Sequence, residues 1–183
     1  MELQNLSRRE FINAAAAVSA TVMAAGVVSK VLGADAAATM GKRIFICSVC
    51  GHAEFGAAPE FCPVCHASRD QFKQNDTVFS DAEASYKDKT DSHRPALIVK
   101  KQDSLITEQP GKSVDVRIGK VLHPMEEAHH IRFIDCYIDD KYIARQILTT
   151  NSYAAAGFHI KAPGTRVCVV ELCTLHGYWQ AEA

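Results

Sequence analysis

The chain has 183 residues, with 20 basic against 21 acidic side chains, a net charge of −1 and 48% hydrophobic residues. This length accommodates one ordinary domain and a small second one. A near-zero net charge without basic runs argues against nucleic-acid binding, and the hydrophobic content excludes a disordered chain. The unusual feature is the presence of seven Cys and eight His, many of them at metal-site spacings rather than in a disulfide framework.

Residues 1–38 are predicted to be an export signal. Arg8 and Arg9 precede a mildly apolar run over 13–32, and small residues follow it. This order is typical of a cleavable signal peptide. The arginine pair, with Phe11 two positions after it, resembles a twin-arginine signal, which implies export to the periplasm after folding and metal loading. An uncleaved membrane anchor is the alternative, because the run approaches the length of a membrane span.

Residues 42–73 are predicted to form a small metal-binding domain. They contain two Cys-x-x-Cys pairs, Cys47 with Cys50 and Cys62 with Cys65. Pairs at this spacing can arrange four thiolates tetrahedrally around one ion. About thirty residues bury too little apolar surface to fold alone, so we expect the metal to supply much of the folding free energy. Two local disulfides are the alternative for these cysteines.

The sequences CSVCGH and APEFCPVCHASRDQF around these cysteines resemble the rubredoxin-like domain of rubrerythrins. Phe72 matches the closing aromatic residue of that domain. The resemblance implies that the four cysteines bind iron as a one-electron centre, although the spacing alone suits zinc equally. His52 stands where many family members have an aromatic residue. Because four thiolates complete a tetrahedral shell, His52 and His66 are predicted to be solvated loop residues.

The rest of the chain is predicted to be a linker followed by a β domain. The stretch 74–91 is polar, and we interpret it as a linker with room for a short helix around 80–86. From residue 92 to residue 183, short runs rich in β-branched residues alternate with turns, which indicates an antiparallel sandwich. We predict a mainly β fold, an immunoglobulin-like sandwich of seven strands. The runs are 96–99, 114–118, 131–138, 142–148, 158–161 and 166–172.

Five side chains of this domain are candidate metal ligands. Any one of the histidines alone would more often be an ordinary packed or surface residue, and a single Cys-x-x-His is a weak signal. Their order and spacing, together with a closing Gly-Tyr-Trp, favour a shared site in loops that converge at one end of a sandwich. By contrast, Cys136 and Cys168 lie within strands and are predicted to be core side chains. The five candidates are His93, His123, His129, Cys173 and His176.

The motifs His-x-Pro at His93, HPMEEAHHI over 123–131 and CTLHGYW over 173–179 resemble the superoxide reductases, also called desulfoferrodoxins or neelaredoxins. The resemblance implies that the four candidate histidines bind non-haem iron in one plane and that Cys173 is the axial ligand. His130 corresponds to a non-ligand, and Trp179 is expected to pack beside the site.

The same resemblance implies an enzyme that reduces superoxide by one electron to hydrogen peroxide. It further implies a rubredoxin-like or other small electron donor and a homodimer or homotetramer. Within this function, the four-cysteine iron would relay or store an electron. The alternatives are an electron carrier without catalysis, a reductase whose four-cysteine site holds structural zinc, and a dismutase, which would need no donor.

One motif departs from the family. Superoxide reductases usually have Glu-Lys directly before the first histidine, where the Glu closes the oxidised site and the Lys attracts superoxide. Here these positions are Asp91 and Ser92. Asp91 is shorter than Glu, which argues against carboxylate ligation, and the lysine position is vacant. Lys89 or Arg94 could supply the positive charge instead.

Overall fold

The four-cysteine segment is built on a three-stranded antiparallel sheet. β1 (Ile44–Cys47) lies between β2 (Ala53–Phe55) and β3 (Phe72–Gln74). Each Cys-x-x-Cys turn ends in a residue with left-handed backbone, Gly51 with φ +74° and His66 with φ +60°. These residues close their turns by backbone hydrogen bonds of 2.9 and 3.0 Å to the first cysteine of each pair.

The computed structural model describes residues 42–103 and 105–183. The predicted export signal, with its arginine pair, lies outside the described residues. Within them, no helix has the length and apolar character needed to cross a membrane.

Seven strands of the C-terminal domain form two antiparallel sheets. One sheet has the order β10-β9-β6-β7 and the other the order β4-β5-β8, so the predicted mainly β sandwich is confirmed. The strand that begins at Gly177 was not among the runs predicted from the sequence. Its first residues, Gly-Tyr-Trp, belong to the motif that contains Cys173 and His176, and they were interpreted as part of that motif. The strands are β4 (Pro95–Lys100), β5 (Lys112–Ile118), β6 (Ile131–Ile138), β7 (Lys141–Ile147), β8 (Ala155–Ile160), β9 (Val167–Cys173) and β10 (Gly177–Glu182).

The two central strands of the four-stranded sheet, β6 and β9, are buried on both faces. The sheet's inner face, with Cys136 among its residues, packs against the other sheet. Its outer face presents Tyr137, Cys168 and Val170 to the four-cysteine domain, where they meet Phe55 in a second apolar cluster. Cys136 and Cys168 are both buried, as predicted. This double burial explains why β6 has an almost continuous apolar sequence rather than a strict alternation.

Two helices occupy the segment between the domains. Helix α1 (Val78–Ser85) lies within the stretch interpreted as a linker, and the four-residue helix α2 (Thr90–His93) leads into β4. Phe79 and Ala82 of α1 are buried, and Phe79 contacts the ring of Tyr178 at a centroid distance of 6.4 Å. The segment therefore packs against the sandwich and contributes to its outer cluster.

The prediction that His52 is a solvated loop residue is wrong. Its side chain is fully buried, with Nε2 3.0 Å from Glu54 and Nδ1 3.5 Å from Asp135. The ring stacks on Tyr137 and meets the edge of Tyr142. It thus fills the aromatic position of the related domains, because the sandwich covers this side of the four-cysteine domain.

His66 lies in the turn that follows Cys65. Its side chain is exposed, as predicted for a loop residue that is not needed as a ligand.

Candidate metal centres

Five metal-ligating side chains meet at one end of the sandwich. His93 ends α2, His123 follows β5, and His129 closes a turn before β6. Cys173 is the last residue of β9, and His176 lies in the turn that leads to β10. Their donor atoms all lie within 4.8 Å of one another. The structure thus brings together the five candidate ligands from the sequence, and we call this group the five-donor site.

Backbone carbonyls orient two of these imidazoles. His93 Nδ1 lies 2.9 Å from the carbonyl oxygen of Lys89, and His123 Nδ1 lies 2.6 Å from that of Pro124. Because a carbonyl oxygen can only accept, each Nδ1 carries the proton and each Nε2 presents a lone pair. The two Nε2 atoms lie 3.1 Å apart. Two lone pairs at this distance repel each other unless a cation binds both, so the arrangement fits a metal.

The protonation state and the burial of the four imidazoles support the same conclusion. Burial lowers the pKa of His93 and of His123 to about 4, so both imidazoles are neutral near pH 7. His129 Nε2 is buried without a hydrogen-bond partner among the described residues, which is unfavourable unless a metal binds it. His176 Nδ1 lies 2.9 Å from His93 Nε2. Four imidazoles and one thiol are ligands that suit iron and other first-row transition metals.

The thiol of Cys173 is buried at the inner side of the site. Burial raises its pKa, and the backbone amides of Leu175 and His176 lower it. Such amides stabilise a thiolate, which is the form that binds a metal. Trp179 packs on the same side, as predicted, with its ring 5.1 Å from that of His93 and its Nε1 donating to the carbonyl of His176.

Lys89 is the basic residue whose charge acts on the five-donor site. Burial is the main cause of the lowered pKa of His129 and His176, and the ammonium of Lys89 lowers both further. The Lys89 side chain is about half exposed and pairs with Asp88 at 3.0 Å. It is therefore close enough to attract an anion to the site while remaining in contact with solvent.

Arg94 and Asp91, the charged residues on either side of Ser92 and His93, are not part of the five-donor site. Arg94 pairs with Glu83 at 2.8 Å and is exposed. Asp91 is exposed and does not belong to the group of donor atoms. Lys89 lowers the pKa of His93, His129 and His176, whereas Arg94 is not among the causes of the pKa shifts at His129 and His176. The structure therefore favours Lys89 over Arg94 as the source of positive charge, a choice that the sequence left open.

The second group of donors is the four-cysteine site, formed by the two Cys-x-x-Cys turns. The sulfurs of Cys47 and Cys65 lie 3.7 Å apart, and those of Cys50 and Cys62 lie 3.6 Å apart. Tetrahedral metal–sulfur bonds of about 2.3 Å require sulfur–sulfur edges of about 3.8 Å. The four cysteines, like the others in the described part of the chain, are free thiols, so the disulfide alternative is not observed. The site fits one tetrahedral iron or zinc ion.

A buried ion pair of the sandwich supports the four-cysteine loop. Arg145 binds Asp135 through two hydrogen bonds, and its third nitrogen donates to the carbonyl of Cys50 at 2.8 Å. The sequence analysis did not identify either residue. The available signal was Asp135 itself, because an acidic residue inside a buried strand needs a partner.

Glu171 is a third buried residue that was not recognised from the sequence. Its carboxyl group is fully buried two positions before Cys173, and neither oxygen has a hydrogen-bond partner in the described part of the chain. Burial raises its pKa well above the ordinary value, which favours the neutral acid. In its ionised form this carboxyl group raises the pKa of Cys173.

Two family models match this chain, and each matched range includes one of the two groups of donors. A family model described as Desulfoferrodoxin matches residues 85–182, which is more than half of the chain and includes the whole five-donor site. A model described as Rubrerythrin, rubredoxin-like domain matches residues 45–73, which include the four cysteines.

Individual relatives cover shorter parts of the chain. A desulfoferrodoxin from Desulfarculus baarsii is 42% identical over 67 residues, which are 37% of this chain and 51% of the relative. A desulfoferrodoxin homolog from Archaeoglobus fulgidus is 37% identical over 76 residues, 42% of this chain and 58% of the relative. The chain thus spans about half the length of the curated relatives it matches. The solved superoxide reductase from Nanoarchaeum equitans is 27% identical with a TM-score of 0.41, covering 50% of this chain and 91% of that one.

Proposed function

This chain belongs to the desulfoferrodoxin family, and from that premise we propose that it is a superoxide reductase. The reaction is the one-electron reduction of superoxide to hydrogen peroxide at a non-haem iron. The ligands are the members of the five-donor site, His93, His123, His129, Cys173 and His176. The observation that carries the proposal is the convergence of these donors on one point, with two lone pairs facing each other and a buried imidazole nitrogen left without a partner.

The protein groups around the site have separate tasks. Iron held by the five donors would supply the electron for the reduction of superoxide. His93 and His123 stay neutral because they are buried, and the backbone carbonyls behind them hold their rings in place. Four neutral imidazoles and one thiolate leave a divalent iron site with a net charge of about +1, which attracts an anion. Cys173 donates electron density, as thiolate ligands do in haem enzymes.

Lys89 takes over the role of the missing family lysine in this proposal. Ser92 occupies the motif position, and Ser92 cannot carry a charge. The ammonium of Lys89 lowers the pKa of three of the site's imidazoles, those of His93, His129 and His176, whereas Arg94 is not among the causes of the pKa shifts at His129 and His176. The positive charge therefore comes from the residue three positions before the motif lysine, on the turn that also orients His93.

The four-cysteine site holds iron in this proposal and relays or stores an electron. The sulfur spacing supports a tetrahedral ion, and the match to a rubredoxin-like domain favours iron over zinc. A small electron donor of the rubredoxin kind would reduce it.

The arginine pair Arg8 and Arg9 supports export through a twin-arginine route to the periplasm, and the family resemblance supports a homodimer or homotetramer.

The test is metal analysis of the mature chain, purified without added metal, followed by reaction with superoxide. We expect two irons per chain, with a visible ferric–thiolate band that disappears in Cys173→Ser and a tetrathiolate-iron spectrum that remains. Rapid single-turnover oxidation of the Cys173-dependent iron by superoxide, with one hydrogen peroxide formed per iron oxidised, would distinguish a reductase from an electron carrier.

Other outcomes would point to other functions. Sustained removal of superoxide without any electron donor would indicate a dismutase. One zinc and one iron per chain would indicate that the four-cysteine site has a structural role. The absence of an iron band dependent on Cys173 would exclude the proposed reaction.

A further inference from the structure

The loops that carry the two candidate metal centres touch each other. Gly51, directly after Cys50, lies against Leu172, which directly precedes Cys173. A Cβ atom at Gly51 would lie 3.3 Å from Leu172 Cδ2 and 2.9 Å from the hydroxyl oxygen of Tyr178. One residue on each side therefore separates a cysteine of the four-cysteine site from the cysteine of the five-donor site.

Side chains of the sandwich hold this contact in place. Tyr178 donates a hydrogen bond of 2.9 Å to the carbonyl of Gly51, and Arg145 donates one of 2.8 Å to the carbonyl of Cys50. Arg145 is itself fixed by Asp135 through two bonds of 2.6 and 2.7 Å. Two consecutive carbonyls of the four-cysteine loop are thus bound to the same sheet that carries Cys173.

Gly51 is the residue type that this approach requires. Its φ of +74° is strained for residues with a side chain, and the space beside it is filled by Leu172, Tyr178 and Phe133. An added Cβ would lie within 3.3 Å of all three side chains, so the two loops pack closely at this point. A loop that only needed to turn would not require three side chains of the neighbouring domain within contact distance.

We propose that the contact between Gly51 and Leu172 is the electron path between the two centres, an inference that rests on the proposed function. One electron leaves the ferrous iron of the four-cysteine site, which becomes ferric, and reduces the ferric iron of the five-donor site to ferrous. No bond is broken and no proton is transferred. Electron tunnelling is efficient along covalent bonds and across van der Waals contacts, and it falls steeply across wider gaps.

The path begins and ends at sulfur. It runs from Cys50 through one peptide unit to Gly51, crosses to the Leu172 side chain, and reaches Cys173 through the next peptide unit. Iron–thiolate bonds are strongly covalent, so the two sulfur atoms carry part of the orbitals that exchange the electron. Tyr178 and Arg145 act as positioning residues that keep the gap closed.

The experiment uses the holoprotein with iron in both sites, fully reduced and mixed rapidly with less than one equivalent of superoxide. The two centres are followed separately by their visible spectra. We expect the Cys173-dependent ferric band to appear first. It should then decay as the tetrathiolate ferric spectrum rises, at a rate independent of protein concentration. The second phase reports electron transfer and not catalytic activity.

Variants of Leu172 test the path itself. Leu172→Ala opens the gap and should slow the second phase at least severalfold, while Leu172→Met, which keeps the volume, should restore most of the rate. The matched control is Val170→Ala, which removes volume from the same strand face, in the apolar cluster shared with the four-cysteine domain, and should leave the second phase at its original rate. Both spectra, recorded before mixing, verify that the centres remain intact.

Several outcomes would overturn the path. These are a second phase that scales with protein concentration, its absence in the unmodified protein, zinc in the four-cysteine site, and equal rates in Leu172→Ala and Val170→Ala. A missing first phase would instead refute the proposed function. The path is then tested by oxidising the five-donor iron photochemically and following the same second phase, in the same variants.

Discussion

Arg145 and Asp135 form a two-point ion pair beneath the four-cysteine loop, with Nε 2.6 Å from Oδ1 and Nη2 2.7 Å from Oδ2. The carboxylate is fully buried and the guanidinium is 6% exposed. Because Arg145 also binds the carbonyl of Cys50, the pair links the sandwich sheet to the metal-binding turn. A buried pair of this kind depends on both partners, since either charge alone would be desolvated without compensation.

Loss of the Arg145 charge should destabilise the protein strongly. Arg145→Gln leaves the Asp135 carboxylate buried without its partner, and we expect a loss of about 3–5 kcal/mol in the free energy of unfolding. The control is Arg166→Gln, because the pair of Arg166 with Asp140 is partly exposed and should contribute at most about 1 kcal/mol. Denaturant unfolding of both holoproteins measures the difference. Similar losses in the two variants would contradict the structural role of the buried pair.

Lys89→Ala should slow the reaction with superoxide. The electrostatic field of a whole protein raises the association rate of an oppositely charged ligand by about 10–10³-fold. One lysine beside the site should therefore account for about tenfold. The salt dependence of the second-order rate should weaken at the same time. Stopped-flow kinetics at several ionic strengths provide the measurement. Arg94→Ala is the control and should have little effect, because Arg94 does not contribute to the pKa shifts of His129 and His176; the reverse order of effects would assign the charge to Arg94.

Gly51→Ala should destabilise the protein more than Gly56→Ala does. Both glycines have positive φ, +74° and +93°, and each substitution should cost about 1–2 kcal/mol in backbone strain. Only at Gly51 would the new methyl group meet neighbours, since nothing lies within 4 Å of a Cβ at Gly56. Overpacking should add about 1–3 kcal/mol there. Thermal unfolding of the two variants isolates this difference, and equal melting temperatures would show that the contact between the loops is loose.

His129→Ala and His130→Ala separate a ligand from its neighbour. Loss of a group that only hydrogen-bonds to a metal ligand lowers metal affinity by about 10–100-fold. Removal of the His129 nitrogen, a proposed ligand itself, should lower the affinity at least as much. His130 is not among the five donors, and its Nδ1 lies 3.0 Å from the carbonyl of Glu126. Titration of the metal-free proteins with ferrous iron, followed through the Cys173-dependent band after oxidation, measures both affinities. Retention of full affinity in His129→Ala would remove this residue from the ligand set.

Features that depend on neighbours in the chain were accessible from the sequence alone. The two Cys-x-x-Cys turns each bring a pair of sulfurs together within four residues, so their spacing already indicates a tetrahedral site. Strand runs such as 131–138 show their burial in their own residues. The motifs around His123 and Cys173 could be matched because their order along the chain is enough to identify the family.

The tertiary structure decided how the two domains meet. His52 is buried by Tyr137, which lies 85 positions further along the chain, and Arg145 reaches the carbonyl of Cys50 across 95 positions. Such contacts leave no periodic signal, because each partner looks like an ordinary polar or aromatic residue in its own segment. The approach of Gly51 to Leu172 has the same origin. The sequence around Gly51 indicates only a turn, and the packed sheet beside it shows that this turn lies against the strand that carries Cys173.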